Sequence, residues 1–315
     1  MNAMVLAAGL GTRLAPLTLR RPKCLMPVMN TPLLAWWLAR LSAWGAQRAV
    51  VNTHHLAAMV RAWLRQRPAD GLTVSESHEP VILGTGGGLA AARPALGPGP
   101  FLLVNADVLA TADLRPLAAR LRASGAAAVL GLIDDTRFNS VAVDAAGRVL
   151  GFTGQALAAE PAAWRTYAGL AAIAPELLDF LPNAGYSSLV DGLSAAINAG
   201  RPVLGVELTG FWDDLGTPQR LLLLHRRLIA DPPAGLEALA PAGPLVLGPG
   251  AVVEPGAEIQ GFCVLGPGAR VAAGAMVADS LLLPGATALK GARVRGAVLG
   301  DGFQAAHEIH GGAFA

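Results

Sequence analysis

The strongest constraint on the fold lies in the last third of the chain. Leu247, Val253, Ile259, Leu265, Val271, Val277, Leu283 and Leu289 follow one another at six-residue steps, eight aliphatic residues in one phase. Four positions after the first five of them stand Ala251, Ala257, Cys263, Ala269 and Ala275, and Gly250, Gly256, Gly268 and Gly274 mark corners. A flexible linker has no reason to keep an aliphatic residue in phase for so long. A step of six with small residues and corner glycines is the pattern of a three-sided parallel β-helix, with one apolar residue per side pointing inward. The phase breaks after Leu289, near Val294, where the pattern places the end or cap of the solenoid. So few coils bury little surface of their own, so this segment is expected to pack against the rest of the chain or another subunit.

The first 230 residues read differently, because apolar strand-like runs alternate with helical periods. Strands are expected at 3–7, 48–52, 72–76, 101–105, 126–133, 168–173 and 203–207. Helices are expected at 32–44, 56–67, 114–123, 175–181, 187–199 and 217–229, with a hairpin over 141–152. This alternation predicts an α/β fold with a Rossmann-like, mostly parallel sheet. Asp231-Pro232-Pro233 separates the two textures, giving an expected domain over 1–232 and the solenoid over 241–306.

Composition narrows the function classes. A chain of 315 residues with 53% hydrophobic and 15% charged residues can build a sizeable core and is not a disordered polymer. No run of about 20 apolar residues occurs, and no basic region precedes an apolar stretch at the N-terminus, so neither a spanning helix nor a signal peptide is expected. The 24 basic residues nearly balance the 22 acidic ones without long basic runs, which argues against nucleic acid as a partner. Cys24 and Cys263 are far apart and form neither a disulfide framework nor a zinc pattern, which fits a cytoplasmic protein.

The candidate chemistry is concentrated near the N-terminus. Leu6-Ala7-Ala8-Gly9-Leu10-Gly11-Thr12-Arg13 follows an expected strand, and Pro22-Lys23 comes soon after. Glycines allow close approach of a phosphate, and successive N–H groups can cradle its oxygens. Arg13 and Lys23 add positive charge suited to a triphosphate. The motif is not a Walker loop, because Thr12-Arg13 replaces Lys-Ser/Thr, and Leu14 stands where a dinucleotide fingerprint needs its third glycine. Asp107 ends an apolar strand at the edge where open α/β sheets bind ligands.

Gly9-Leu-Gly-Thr-Arg13 with Pro22-Lys23 resembles the signature of the sugar-1-phosphate nucleotidyltransferases. Leu83-Gly-Thr-Gly-Gly-Gly-Leu89 is similar to that family's second glycine-rich loop, Asn105-Ala-Asp107 to its Asn-Gly-Asp, and Trp212-Asp-Asp-Leu-Gly-Thr-Pro218 to its Trp-x-Asp-x-Gly-Thr-Pro. The solenoid resembles the left-handed parallel β-helix of mannose-1-phosphate guanylyltransferases. The resemblance implies that a nucleoside triphosphate and a sugar 1-phosphate give a nucleotide-sugar and pyrophosphate, with Mg²⁺ as cofactor. It assigns Arg13, Lys23 and Asp107 to catalysis, and Asp107 and Asp214 to the metal. Leu6, Ala7, Ala8, Gly9, Gly11, Thr12, Arg13, Glu79, Gly84 and Thr85 would bind the nucleotide. Lys23 and Gly169 would bind the sugar phosphate. Many members carry a second lysine there; this chain has none between Lys23 and Lys290, so Arg165 is the candidate replacement.

GTP with mannose 1-phosphate is the pair the resemblance favours, with a uridylyl- or thymidylyltransferase acting on another sugar 1-phosphate as the alternative. A non-catalytic nucleotide-sugar-binding subunit is the second reading, and homo-oligomerisation through the β-helix is an expectation in either case. An acyltransferase is disfavoured because no histidine lies between Pro241 and Ala306.

Overall fold

Short apolar runs ending in polar residues generate the first part of the architecture. The computed structural model describes Met1 to Ala315, and its contacts divide the chain into two units. One comprises Met1–Gly9 and Trp37–Trp212, the other Leu10–Trp36 and Asp213–Ala315.

The strands of the first unit's main sheet are β1 (Asn2–Leu6), β2 (Arg48–Thr53), β3 (Thr73–His78), β4 (Phe101–Asn105), β5 (Ala128–Ile133), β6 (Val141–Val143), β7 (Val149–Phe152), β8 (Ala163–Ile173) and β9 (Val203–Glu207). Across the sheet the order is β9-β5-β8-β4-β1-β2-β3, and the β6–β7 hairpin pairs with the start of β8. Strand β8 runs antiparallel to β4 and β5, while the other main neighbours are parallel. The expected mostly parallel sheet is therefore present. Met4, Val50, Phe101, Leu103, Leu130 and Ile173 carry its buried face. Helices α1 (Leu33–Ala43, in this unit from Trp37 on), α2 (Ala57–Gln66), α3 (Gly84–Leu96), α4 (Arg115–Ser124) and α5 (Leu189–Asn198) connect the strands. Helix α5 opens on a capping box, with Asp191 N donating to Ser188 Oγ and Ser188 N to the Asp191 carboxylate.

Helix α3 corrects the sequence reading, which treats the glycine-rich segment as a loop. Four glycines and Pro94 within 13 residues carry poor helix propensity. Packing overrides it. A Cβ on Gly86 would lie 2.5 Å from Ser188 O, and one on Gly88 would lie 2.7 Å from Glu79 Oε1. The glycines let α3 sit against these groups.

In the second unit, helix α6 (Pro218–Ala230) starts at Thr217, whose Oγ1 accepts a hydrogen bond from Arg220 N at 3.3 Å. His225 on α6 is buried, accepts from Met29 N at 3.1 Å and donates to Leu221 O at 2.8 Å. Burial pushes its pKa down to about 4, so the ring is neutral. From Leu245 on, the unit is the β-helix. Leu247 pairs with Leu265 and Ile259 with Val277, so the first coils contain 18 residues. Leu265, Val271 and Val277 of the in-phase series lie in the solenoid core with Cys263, Ala269 and Ala275, and Ala251 and Ala257 pack against it. The solenoid packs within its own unit against the N-terminal segment, for example through Asn30 Nδ2, which donates to Leu265 O at 3.1 Å.

The phase breaks earlier than the periodicity suggests. Gln260 pairs with Ala278 but Cys263 pairs with Ser280, so Gly261 and Phe262 together face Asp279 alone. Asp279 adopts φ +47° and accepts Phe262 N on Oδ1 at 3.3 Å. This is the geometry of a β-bulge. The next coil steps contain 17 residues, with Leu265 opposite Leu282 and Val271 opposite Ala288, and the last contain 15, with Val294 opposite Ile309 and Val298 opposite Ala313. Leu282, Ala288, Val294, Leu299 and Ala305 then fill the core. Leu283 and Leu289 leave it and begin tight turns, accepting Ala286 N and Ala292 N, each at 2.9 Å. Nor does the solenoid end near Val294, because parallel pairing continues to Ala313 and Phe314.

Candidate active site

Within the first unit, the parallel strands bring their carboxyl ends to one edge. Ala7 follows β1 and donates its N–H to Asn52 Oδ1 at 2.6 Å. Asn52 Nδ2 donates to Glu79 Oε1 at 2.7 Å, and Glu79 Oε2 accepts Leu83 N at 3.0 Å. Asn52 and Glu79 are 2% and 1% exposed, so this relay lies inside the protein and fixes the edge against the start of α3. Both carboxylate oxygens of Glu79 are thus engaged internally, and His54 Nδ1 bonds its carbonyl at 2.8 Å. Thr85 Oγ1 accepts Leu189 N at 2.8 Å, tying α3 to α5. Leu6, Ala7, Ala8 and Gly9 continue from β1, and a Cβ on Gly9 would meet nothing within 4 Å.

Asn105 and Asp107 stand at the end of β4, where Ala106 N donates to Leu6 O at 3.0 Å. Gly169 lies against Asn105; a Cβ there would come within 2.9 Å of Asn105 Nδ2. The ring of Trp212 is held beside it by its Nε1, which donates to Ala168 O at 2.9 Å. Asn105 Oδ1 is buried and accepts no hydrogen bond. The Tyr167 hydroxyl is also buried without a partner, and burial pushes its pKa up. Arg165, by contrast, donates Nε to Glu207 Oε1 at 2.7 Å and Nη1 to Trp164 O at 3.0 Å. A phosphate bound by Arg165 would compete with Glu207.

Within the second unit, the glycine loop becomes a series of short 3₁₀ turns. Gly11 takes φ +64°, and a Cβ there would lie 2.8 Å from Thr18 Cγ2. Thr18 Oγ1 donates to Gly11 O at 3.0 Å, which locks the bend. The left-handed Gly11 followed by the right-handed turn Thr12–Leu14 points successive amides to one side, an anion-binding geometry. Arg13 and Lys23 then converge on one carboxylate. Arg13 Nη2 is 3.2 Å from Asp214 Oδ2, and Lys23 Nζ is 3.5 Å from Asp214 Oδ1. The Lys23 side chain is only 10% exposed, whereas that of Arg13 is 58% exposed. Gly216 makes room for the Arg13 guanidinium, since a Cβ there would be 2.8 Å from Cζ. The adjacent Asp213 pairs with Arg220 instead.

The fit of a divalent cation can be tested on these residues. Asp214 Oδ1 is buried and makes no hydrogen bond, though it lies 3.5 Å from the Lys23 ammonium, so a cation using this hard oxygen donor would share it with Lys23. No three His, Cys, Asp or Glu side chains group into a metal cage. That donor set suits Mg²⁺, which is typically bound by one or two carboxylates with substrate phosphates and water completing the shell.

Sequence reasoning missed Asn52, and it did not single out the packing role of Gly86–Gly88. The signal for Asn52 is a polar residue closing the apolar run Ala49-Val50-Val51, the same pattern that Asn105 gives after Val104.

The family model described as nucleotidyl transferase matches residues 2–230. The chain belongs to this nucleotidyltransferase family. It is 35% identical over 231 residues to the N-acetylmuramate alpha-1-phosphate uridylyltransferase of Neisseria meningitidis, covering 70% of this chain and 95% of that relative. It is 30% identical over 304 residues to the mannose-1-phosphate guanylyltransferase of Mycobacterium tuberculosis, covering 93% of this chain and 81% of the relative. The UDP-glucose pyrophosphorylase structure from Acinetobacter baumannii superimposes with a TM-score of 0.62 at 20% identity, covering 76% of this chain and 97% of that one. At that identity the superposition speaks for the family fold alone. No helix is long and apolar enough to cross a membrane.

Proposed function

We propose that this family member joins a nucleoside triphosphate to a sugar 1-phosphate, releasing pyrophosphate. The observation that carries the reading is the pairing of Arg13 and Lys23 around Asp214 beside the Gly11 turn, in a chain whose family motifs occur in order. A phosphate oxygen of the sugar phosphate attacks the α-phosphorus. The bond from the α-phosphorus to the bridging oxygen breaks, and pyrophosphate leaves with the electron pair. The nucleophile is already anionic, so the reaction asks for positioning and charge neutralisation rather than a general base. In this reading Arg13 and the Gly11–Thr12 amides hold the leaving pyrophosphate, and Lys23 holds the reacting phosphates. Leu6, Ala7, Ala8 and Gly9 line the base and ribose, with Gly84 and Thr85 nearby and Glu79 setting the edge through Asn52. Gly169 takes the sugar, and Arg165 takes its phosphate by exchanging Glu207 for it. Asp107 and Asp214 are the proposed Mg²⁺ ligands. Mg²⁺, when bound, neutralises phosphate charge.

The finer choice is GTP with mannose 1-phosphate, supported by the relative whose similarity runs through the solenoid as well. A uridylyltransferase acting on an N-acetylated sugar is the second reading, supported by the higher identity over the first 70% of the chain. The test is a pyrophosphate-release panel of four nucleoside triphosphates against mannose, glucose and N-acetylated sugar 1-phosphates. Release with Mg²⁺ by one pair identifies the substrates, and silence across the panel turns the reading to a nucleotide-sugar-binding regulator. Lys23→Ala should lower kcat about 100-fold or more with the active pair, the scale of losing one preorganised electrostatic group.

A further inference from the structure

The last coil of the β-helix turns at Gly300-Asp301-Gly302, where Phe303 N donates to Gly300 O at 3.1 Å. Asp301 faces the segment that carries Lys23. Arg21 Nε donates to Asp301 Oδ1 at 3.0 Å, and Arg21 Nη2 lies 2.7 Å from Oδ2. This is a two-pronged guanidinium–carboxylate pair, the strong and directional form of such contacts. Its side chains are 15% and 19% exposed, so solvent screens it less than a surface pair. Arg20 Nη1 adds a bond to Asp301 O at 3.3 Å.

Arg21 also reaches past Lys23. Its Nη1 donates to Leu25 O at 3.4 Å, at the far end of the 3₁₀ turn Lys23–Leu25. That turn is held by Leu25 N to Pro22 O and Met26 N to Lys23 O, at 2.9 and 3.0 Å. A single 3₁₀ turn has little stability of its own. The Arg21 guanidinium joins both sides of it and is itself fixed by the solenoid.

We propose that Asp301 of the β-helix is a positioning residue for Lys23, acting through Arg21. The proposal deepens the reading of Lys23 given above and rests on it. The solenoid then sets the aim of the ammonium group toward the reacting phosphates. Removing the Asp301 charge leaves Arg21 without its carboxylate and frees the turn. Displacement of a positioned group by about 1 Å costs up to ~100-fold in rate.

The test uses the full chain with Asp301→Asn, Asp301→Glu, and Glu254→Gln as a control. Glu254 pairs with Arg270 within the solenoid and is outside the proposed machinery. Asp301→Asn should lower kcat about 10- to 100-fold with little change in the KM for nucleotide and in the melting midpoint. Asp301→Glu should recover much of that loss, and Glu254→Gln should match wild type. Equal kcat for wild type and Asp301→Asn overturns the proposal, as does a loss that Asp301→Glu leaves unrepaired.

A second readout needs no turnover. Lys23 and Lys290 are the only lysines, so acylation of Lys23 can be followed by mass spectrometry against Lys290 as internal reference. Asp301→Asn should raise the Lys23 labelling rate about tenfold by loosening its turn. An unchanged ratio overturns the proposal. If wild type releases no pyrophosphate with any pair, the functional reading fails, while the labelling ratio still decides whether Asp301 holds Lys23.

Discussion

Gly86→Ala sets backbone propensity directly against packing. Gly86 lies inside α3 with helical backbone, and alanine there gains about 0.8–1 kcal/mol in propensity alone. The new Cβ would stand 2.5 Å from Ser188 O and 2.7 Å from Ser187 Oγ. The first of these is backbone, and it cannot swing aside as a side chain would. Segment 185–188 must therefore retreat from α3. Overpacking of this kind costs about 1–3 kcal/mol. Retreat also stretches the bonds from Gly86 N and Gly87 N to Ser187 O, now 2.9 and 3.3 Å. A buried polar group left without its partner costs about 1–3 kcal/mol. Subtracting the propensity gain leaves a net loss of about 3 kcal/mol. Urea unfolding followed by circular dichroism measures it, with Gly243→Ala as the control because a Cβ there meets nothing within 4 Å. A Gly86→Ala protein as stable as wild type, or more so, would refute the claim that close packing selects glycine at this position.

Two further outcomes follow from the second unit. Leu282→Ala should cost about 2–5 kcal/mol and Leu289→Ala less than about 1 kcal/mol, because the bulge at Asp279 puts the first in the solenoid core and the second on a turn; equal losses in urea titrations would contradict the register. His225 is a base whose folded pKa, about 4, lies below its ordinary 6.5, so the unfolded chain binds the proton first as pH falls. Its contribution to stability is full above pH 6.5 and is lost progressively down to about pH 4, a change of about 3 kcal/mol. A wild-type stability slope between pH 6.5 and 4 no steeper than that of His225→Gln would show that the ring is not held neutral.

Local patterns made the central sheet and the solenoid legible, since each is written in short-range periodicity. Strands β4 and β9 fall on the expected residues, and Leu265, Val271 and Val277 fill the solenoid core as their six-residue spacing demands. The convergence of Arg13 and Lys23 on Asp214 rather than Asp213 was harder. Two adjacent carboxylates offer the same chemistry in one dimension, and the strand Trp212–Asp214 separates them by pointing one to Arg220 and the other to Arg13 and Lys23. Helix α3 was illegible for a different reason. Its glycines answer chiefly to partners at 185–188, far along the chain, so its own propensity argues against the state it adopts.

The bulge at Asp279 shows why a periodic pattern can be right about architecture and wrong about register. Leu282 and Leu283 are adjacent and chemically identical, as the run Ser280-Leu281-Leu282-Leu283 makes plain. A six-residue count continues smoothly through Leu283 and Leu289, and nothing in hydropathy marks the missing residue. What marks it is a residue that tolerates the left-handed region more readily than most: Asp279 at φ +47°, opposite Gly261 at φ +58°. Its carboxylate bonds the Phe262 amide at the point where two residues face one, and Ser280 Oγ accepts Ala297 N at 3.1 Å as the next coil begins. The polar pair Asp279-Ser280, set inside an otherwise apolar strand from Met276 to Leu282, is therefore the sequence cue to the shift. Replacing Asp279 by a β-branched residue would press on that left-handed backbone, and every inward leucine and valine after it depends on the register fixed there.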